Sequence, residues 1–260
     1  MTTEFATSKD GTRIAYEKVG SGPALVLVDG AMCYRDFGPC RSAAEHLASH
    51  FTVYFYDRRG RGESGDTRPY SPEREYEDLA AVVAATGETP FVLGYSSGGG
   101  LVLQAAAAGV PMRKLASYEA PYIGQKPGVP DYQKTLDALI AKDDRAGALS
   151  FFMVKMVGGP AFLPLMMRLM PKVFRQLKGV AHTLPNDARV MGDFEVPTAT
   201  LATITVPALI LGGGKAKPDM VAAVDGVAAA VPGAVHKTLP DQTHQVKDEA
   251  IAPELIAFFD

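Results

Sequence analysis

The 260-residue chain has no tryptophan, only two cysteines and almost no excess of charge, with 26 Lys and Arg against 29 Asp and Glu. Each scarcity removes a class of protein. Two cysteines cannot staple a small scaffold. With no secretory context, Cys33 and Cys40 read as free thiols in a reducing, cytoplasmic compartment. A net charge of −3 gives no basic footprint for a nucleic acid, and no RNA-type aromatic signature accompanies it. No apolar run reaches the roughly 18 residues that a membrane helix needs. Neither a nucleic acid nor a membrane is therefore expected as a partner. The stretch from Met1 to Arg13 is polar and lacks the apolar centre of a signal peptide. No His, Cys, Asp or Glu cluster has metal-ligand spacing, so no metal is expected. Gly212-Gly213-Gly214-Lys215 is not a phosphate loop, since no Ser or Thr follows the lysine.

What is present is an ordinary soluble-domain balance, 47% hydrophobic and 21% charged, with length enough for one large α/β domain. Short β-rich runs are expected as strands at Arg13–Val19, Ala24–Val28, Phe51–Tyr56, Phe91–Tyr95, Lys114–Tyr118, Ala208–Leu211 and Ala234–Leu239. Helical spacing alternates with them at Ser42–Ala48, Glu75–Ala85, Ser97–Ala108, Asp219–Ala230 and Glu249–Phe259. Such alternation predicts a mostly parallel sheet covered on both faces. From Pro121 to about Leu201 the pattern changes. No strand is evident there, amphipathic stretches fall near 132–141, 146–157, 161–170 and 173–180, and six of the ten methionines cluster. The expected division is a core of residues 1–120 and 202–260 with a helical cap at 121–201. Met and Phe in that cap suggest an adaptable apolar roof over a pocket.

The strongest chemical signal is Gly94-Tyr95-Ser96-Ser97-Gly98. It fits G-x-S-x-G and falls between a buried strand and a helix, where a strained turn can lift a serine hydroxyl above the sheet. Ser96 is the candidate nucleophile, and the helix N-terminus behind it favours developing negative charge.

At these residues the chain resembles the α/β-hydrolase family. Three further stretches are similar to that family: Asp57-Arg58-Arg59-Gly60-Arg61-Gly62-Glu63-Ser64 after the fourth strand, Val28-Asp29-Gly30-Ala31 at the oxyanion loop, and Asp241-Gln242-Thr243-His244 after the last strand. The resemblance implies an eight-stranded, mostly parallel sheet flanked by helices with an inserted helical cap. It implies that His244 is the general base, and that backbone N–H groups of Ser97 and Ala31 form the oxyanion hole. His46, His50, His182 and His236 read as solvated or structural. Asp29 replaces the family's usual His, and its side chain is expected to turn away into loop hydrogen bonds. Asp57 and Arg59 are expected to brace their turn.

The acid departs from the commonest pattern, because the place past the seventh strand holds Ala216. Glu119, ending the sixth strand, and Asp219 are the two candidates. Zearalenone lactonase-like members carry the acid after the sixth strand, with Asp-Gly at the oxyanion loop and a Ser-Ser pair in the elbow, and this favours Glu119. The expectation is a cofactor-free serine hydrolase acting on a small to medium hydrophobic ester or lactone. Carbon–carbon bond hydrolysis, acyl transfer and ligand binding with little turnover are the alternatives, and a homo-oligomer is left open.

Overall fold

The computed structural model describes residues 2–260. Strands β1 (Glu4–Thr7), β2 (Arg13–Gly20), β3 (Ala24–Val28), β4 (Thr52–Tyr56), β5 (Phe91–Tyr95), β6 (Leu115–Tyr118), β7 (Ala208–Gly213) and β8 (Val235–Leu239) form one sheet in the order β1-β2-β4-β3-β5-β6-β7-β8. β2 runs antiparallel to both its neighbours, and every other adjacent pair is parallel. β1 lies inside the polar segment that carried no strand signal. It pairs along β2 from Glu4–Tyr16 to Thr7–Arg13, so its strand character comes from its partner.

Side-chain alternation divides each central strand between two cores. In β3, Leu25 and Leu27 join α1 (Cys40–Leu47) and α11 (Asp248–Phe259) on one face. Val26 and Val28 join α2 (Pro72–Ala85) and α3 (Ser97–Ala107) on the other. Burial on both faces is why β3, β5 and β7 read as continuous apolar runs. On the α11 face, Phe259 stacks on Phe91 at 4.8 Å and meets Phe51 edge-on. Burying each such side chain contributes about 1.5–3 kcal/mol.

Between β6 and β7 the chain is helical. It runs through α4 (Tyr132–Ala141), α5 (Arg145–Ser150), a π-helical turn at Phe151–Met156, α6 (Leu163–Arg168), α7 (Pro171–Val180), a 3₁₀ turn, α8 (Leu184–Met191) and α9 (Thr198–Leu201). After β7, α10 (Pro218–Ala230) leads to β8. α8 escaped the periodicity reading because it opens Leu-Pro-Asn-Asp and buries the last two, which no apolar stripe would mark. It packs against α2, α3 and α4.

The reason for those polar residues is a buried charge cluster. Arg58, Arg59 and Arg61 are fully enclosed. Arg58 grips Glu75 with two hydrogen bonds, of 2.6 and 2.8 Å, and Arg59 grips Asp78 with two of 2.7 Å. Asp187 of α8 accepts from Arg58 at 2.8 Å and from Arg61 at 2.6 Å. Burial alone would raise the Asp187 carboxyl, but Arg61 and Arg58 outweigh it and hold the group below the usual carboxylate range. Removing one partner of such a set leaves buried charge uncompensated, which costs about 3–5 kcal/mol. Asp187→Ala should therefore lose about 3–5 kcal/mol in urea unfolding, while Glu45→Ala on the exposed side of α1 should change stability by under about 0.5 kcal/mol.

Candidate active site

The site gathers at the carboxyl ends of β3, β5, β6 and β8, where an open parallel sheet offers its loops to a ligand. Ser96 follows β5 directly and precedes α3, with φ +54° and ψ −127°. A side-chain-bearing residue in that region stores about 1–3 kcal/mol and is held there by its surroundings. Those surroundings include the near-contact of the elbow with the loop after β3. A Cβ on Gly98 would lie 2.4 Å from the Val28 carbonyl oxygen, and one on Gly30 would lie 2.9 Å from Ser96 Cβ. Only glycines let the loop after β3 and the serine turn approach so closely.

His244 Nε2 lies 3.1 Å from Ser96 Oγ, and His244 Nδ1 lies 2.7 Å from Glu119 Oε2. Glu119 is buried, at φ +46°, immediately after β6. Its other oxygen accepts from the Gly213 N–H at 2.8 Å. The triple-glycine run at the end of β7 therefore supplies a backbone donor to the carboxylate. Tyr118 Oη donates to the Thr243 carbonyl at 2.5 Å and pins the loop that carries His244. Asp219 lies elsewhere. It is exposed in the first turn of α10, and its carboxylate accepts from the Met220 N–H. The structure thus joins Ser96, His244 and Glu119 in one hydrogen-bonded chain and leaves Asp219 out of it.

Ser97 opens α3, where first-turn N–H groups have no intrahelical acceptor. Its hydroxyl points the other way and donates to Asp187 Oδ1 at 2.8 Å. Ala31 follows Gly30 in the loop beside Ser96. Arg61 fixes that loop by donating to the carbonyls of Gly30 and Cys33 at 2.7 and 3.1 Å. Asp57 accepts from the Arg35 and Glu63 N–H groups, bracing its turn, and Arg59 is held to Asp78. Arg58, Arg61 and Asp187 are the residues that sequence reasoning missed. The three arginines within four positions were a signal, but Asp187, the buried partner that Arg58 and Arg61 share, lies more than 120 residues away.

The Alpha/beta hydrolase family model matches residues 25–254. The chain belongs to the alpha/beta hydrolase family. An alpha/beta hydrolase from Sphaerobacter thermophilus, of solved structure, is 48% identical, with a TM-score of 0.90 over 99% of this chain and 100% of that one. The enol-lactonase of Burkholderia xenovorans shares the fold at 21% identity, with a TM-score of 0.71 over 98% of this chain and 99% of that one. The N-formylmaleamate deformylase of Pseudomonas putida is 34% identical over 125 residues, 45% of each chain, so the match spans under half of that relative.

Asp29 of this alpha/beta hydrolase lies in the loop beside Ser96. Its side chain is buried and faces Cys40, with one carboxylate oxygen lacking a partner among the described residues. Burial raises its pKa to about 7, against the Cys40 hydrogen bonds and the nearby Arg61 and Arg58. Cys33, also beside it, is pushed up to about 12 by burial and by Asp29. The folded chain binds the Asp29 proton more tightly than the unfolded chain. Stability from this group is thus fully present below about pH 4 and is lost as pH rises to about 7, a cost of about 4 kcal/mol. Asp29→Asn should therefore raise the Tm at pH 8, with a gain that shrinks toward zero at pH 4. Paired thermal melts at the two pH values check this.

Proposed function

We propose that this alpha/beta hydrolase is a cofactor-free serine hydrolase that cleaves a carboxylic ester or lactone of a small to medium hydrophobic substrate. The observation that carries the proposal is the continuous chain from Ser96 Oγ through the His244 imidazole to the buried Glu119 carboxylate. Ser96 Oγ attacks the carbonyl carbon while His244 Nε2 takes its proton. The oxyanion sits against the N–H groups of Ser97 and Ala31. Collapse breaks the acyl–oxygen bond, and the leaving alkoxide takes the proton from His244. Water then attacks the acyl-enzyme, giving its proton to His244, and on collapse His244 returns that proton to Ser96 Oγ as the acid leaves. Glu119 stays ionised throughout, holding the imidazole tautomer and stabilising the imidazolium. The apolar character of the substrate is read from the Met and Phe content of the helical insertion, which includes half-buried Phe151, Phe152 and Met153.

The likeness to the deformylase favours a second reading, in which the same acyl-enzyme chemistry opens an N-formyl amide. Hydrolysis of matched ester, lactone and N-formyl substrates with product analysis separates the two. Labelling with a fluorophosphonate should place one adduct on Ser96 and none in His244→Ala. Absence of an adduct on the folded protein would overturn the hydrolase reading in favour of a ligand-binding protein. Glu119→Gln, which keeps an acceptor for Gly213, should lower kcat by about 10³–10⁴-fold. Asp219→Asn should stay within about twofold of the parent.

A further inference from the structure

The segment from Arg145 to Asn186 contains none of the chain's 29 acidic residues but six of its 26 basic ones. It also holds most of the exposed apolar surface. Of nine large hydrophobic side chains exposed among the described residues, six are Val157, Phe162, Leu165, Met166, Leu169 and Met170. Leu165 is 66% exposed and Leu169 80%. On α6 only Met167 is buried, with Leu163 partly buried against the core, and the helix turns Leu165 and Met166 to solvent. α7 packs beside it. Lys155 on the π-helical turn, Arg168 on α6, and Lys172, Arg175 and Lys178 on α7 are all exposed. Arg145 pairs with Asp143, but these five have no carboxylate partner among the described residues.

Unpaired cations beside protruding apolar side chains are the two components of binding at an anionic bilayer surface. A leucine at 80% exposure projects outward, which suits insertion between lipid headgroups better than a protein groove. Two-fold pairing with a second copy would set this basic surface against itself. We propose that α6 and α7 form a docking surface for an anionic lipid bilayer, with the apolar tip entering the headgroup region and the five cations over the phosphates. No helix among the described residues is long and apolar enough to cross a membrane, so the contact is peripheral. The sequence expectation of no membrane partner rested on span length and whole-chain charge, and both average this patch away. Vesicle binding is read without turnover, so it can be tested apart from the chemistry proposed at Ser96.

The test is cosedimentation of the intact chain with phosphatidylcholine vesicles, with and without about 30% phosphatidylglycerol. Partitioning should be at least about tenfold higher on the anionic vesicles and should fall as NaCl rises from about 0.05 to 0.5 M. Leu165→Ser with Leu169→Ser, and Lys172→Glu with Arg175→Glu and Lys178→Glu, should each lower it by about tenfold while the Tm stays near the parent value. Failure of the folded protein to bind anionic vesicles would overturn the proposal. Binding that neither set of substitutions weakens would do the same. So would a dimer in light scattering that the leucine substitutions disperse, since the patch would then be a self-association surface.

Discussion

Asp187 is the hinge pin of this molecule in a chemical sense. Its two oxygens take hydrogen bonds from Arg58, Arg61 and Ser97, three groups on two different core segments. Without it, Arg58 would keep Glu75, but the buried Arg61 guanidinium would lose the carboxylate it pairs with beneath the serine turn. Arg61 in turn carries the carbonyls of the loop facing Ser96. The geometry around Ser96 therefore hangs on a carboxylate supplied by α8, inside the helical insertion. The insertion is not uniform in its attachment. α8 is bound to the core by ion pairs in a water-excluded setting, whereas α6 is held by Met167 and its neighbours.

Strain marks the same place. Ser96 and Glu119 both have positive φ, and both sit at strand ends where the sheet fixes the direction of the next turn. The Ser96 N–H donates to the Tyr118 carbonyl, and the Glu119 N–H to the Leu211 carbonyl. Each turn is thus tied to the neighbouring strand as well as to its own. The cost of about 1–3 kcal/mol per residue is offset by the rest of the sheet, which positions a hydroxyl and a carboxylate on either side of one imidazole.

The central strands were legible because burial on both faces leaves unbroken apolar runs, as in Ala24–Val28 and Phe91–Tyr95. The serine turn was legible because its glycines answer to close backbone approach, a local constraint written at adjacent positions. β1 was not, since a four-residue edge strand owes its form to pairing with β2. α8 was not, since its buried face is partly charged and its partners are distant in sequence. Glu119 could be ranked above Asp219 by resemblance, but only the position of the Gly213 N–H shows what orients its carboxylate. Asp29 was expected to turn away from Ser96, and it does, although into a pocket that leaves one oxygen unmatched rather than into a satisfied loop network.

The hydrogen-bonded chain at Ser96 also has a topological side. Ser96 and His244 are 148 residues apart, and Glu119 and His244 are 125 apart. Closing loops of that size costs entropy before any contact repays it. The first five strands can assemble the serine turn, but the imidazole of His244 arrives only when the insertion has been traversed and β8 has docked on β7. A chain caught partway along its folding route would carry the hydroxyl without the imidazole. The contact between Ser96 and His244 is consequently a reporter of the last long-range closure in the sheet, formed later than the secondary structure around it.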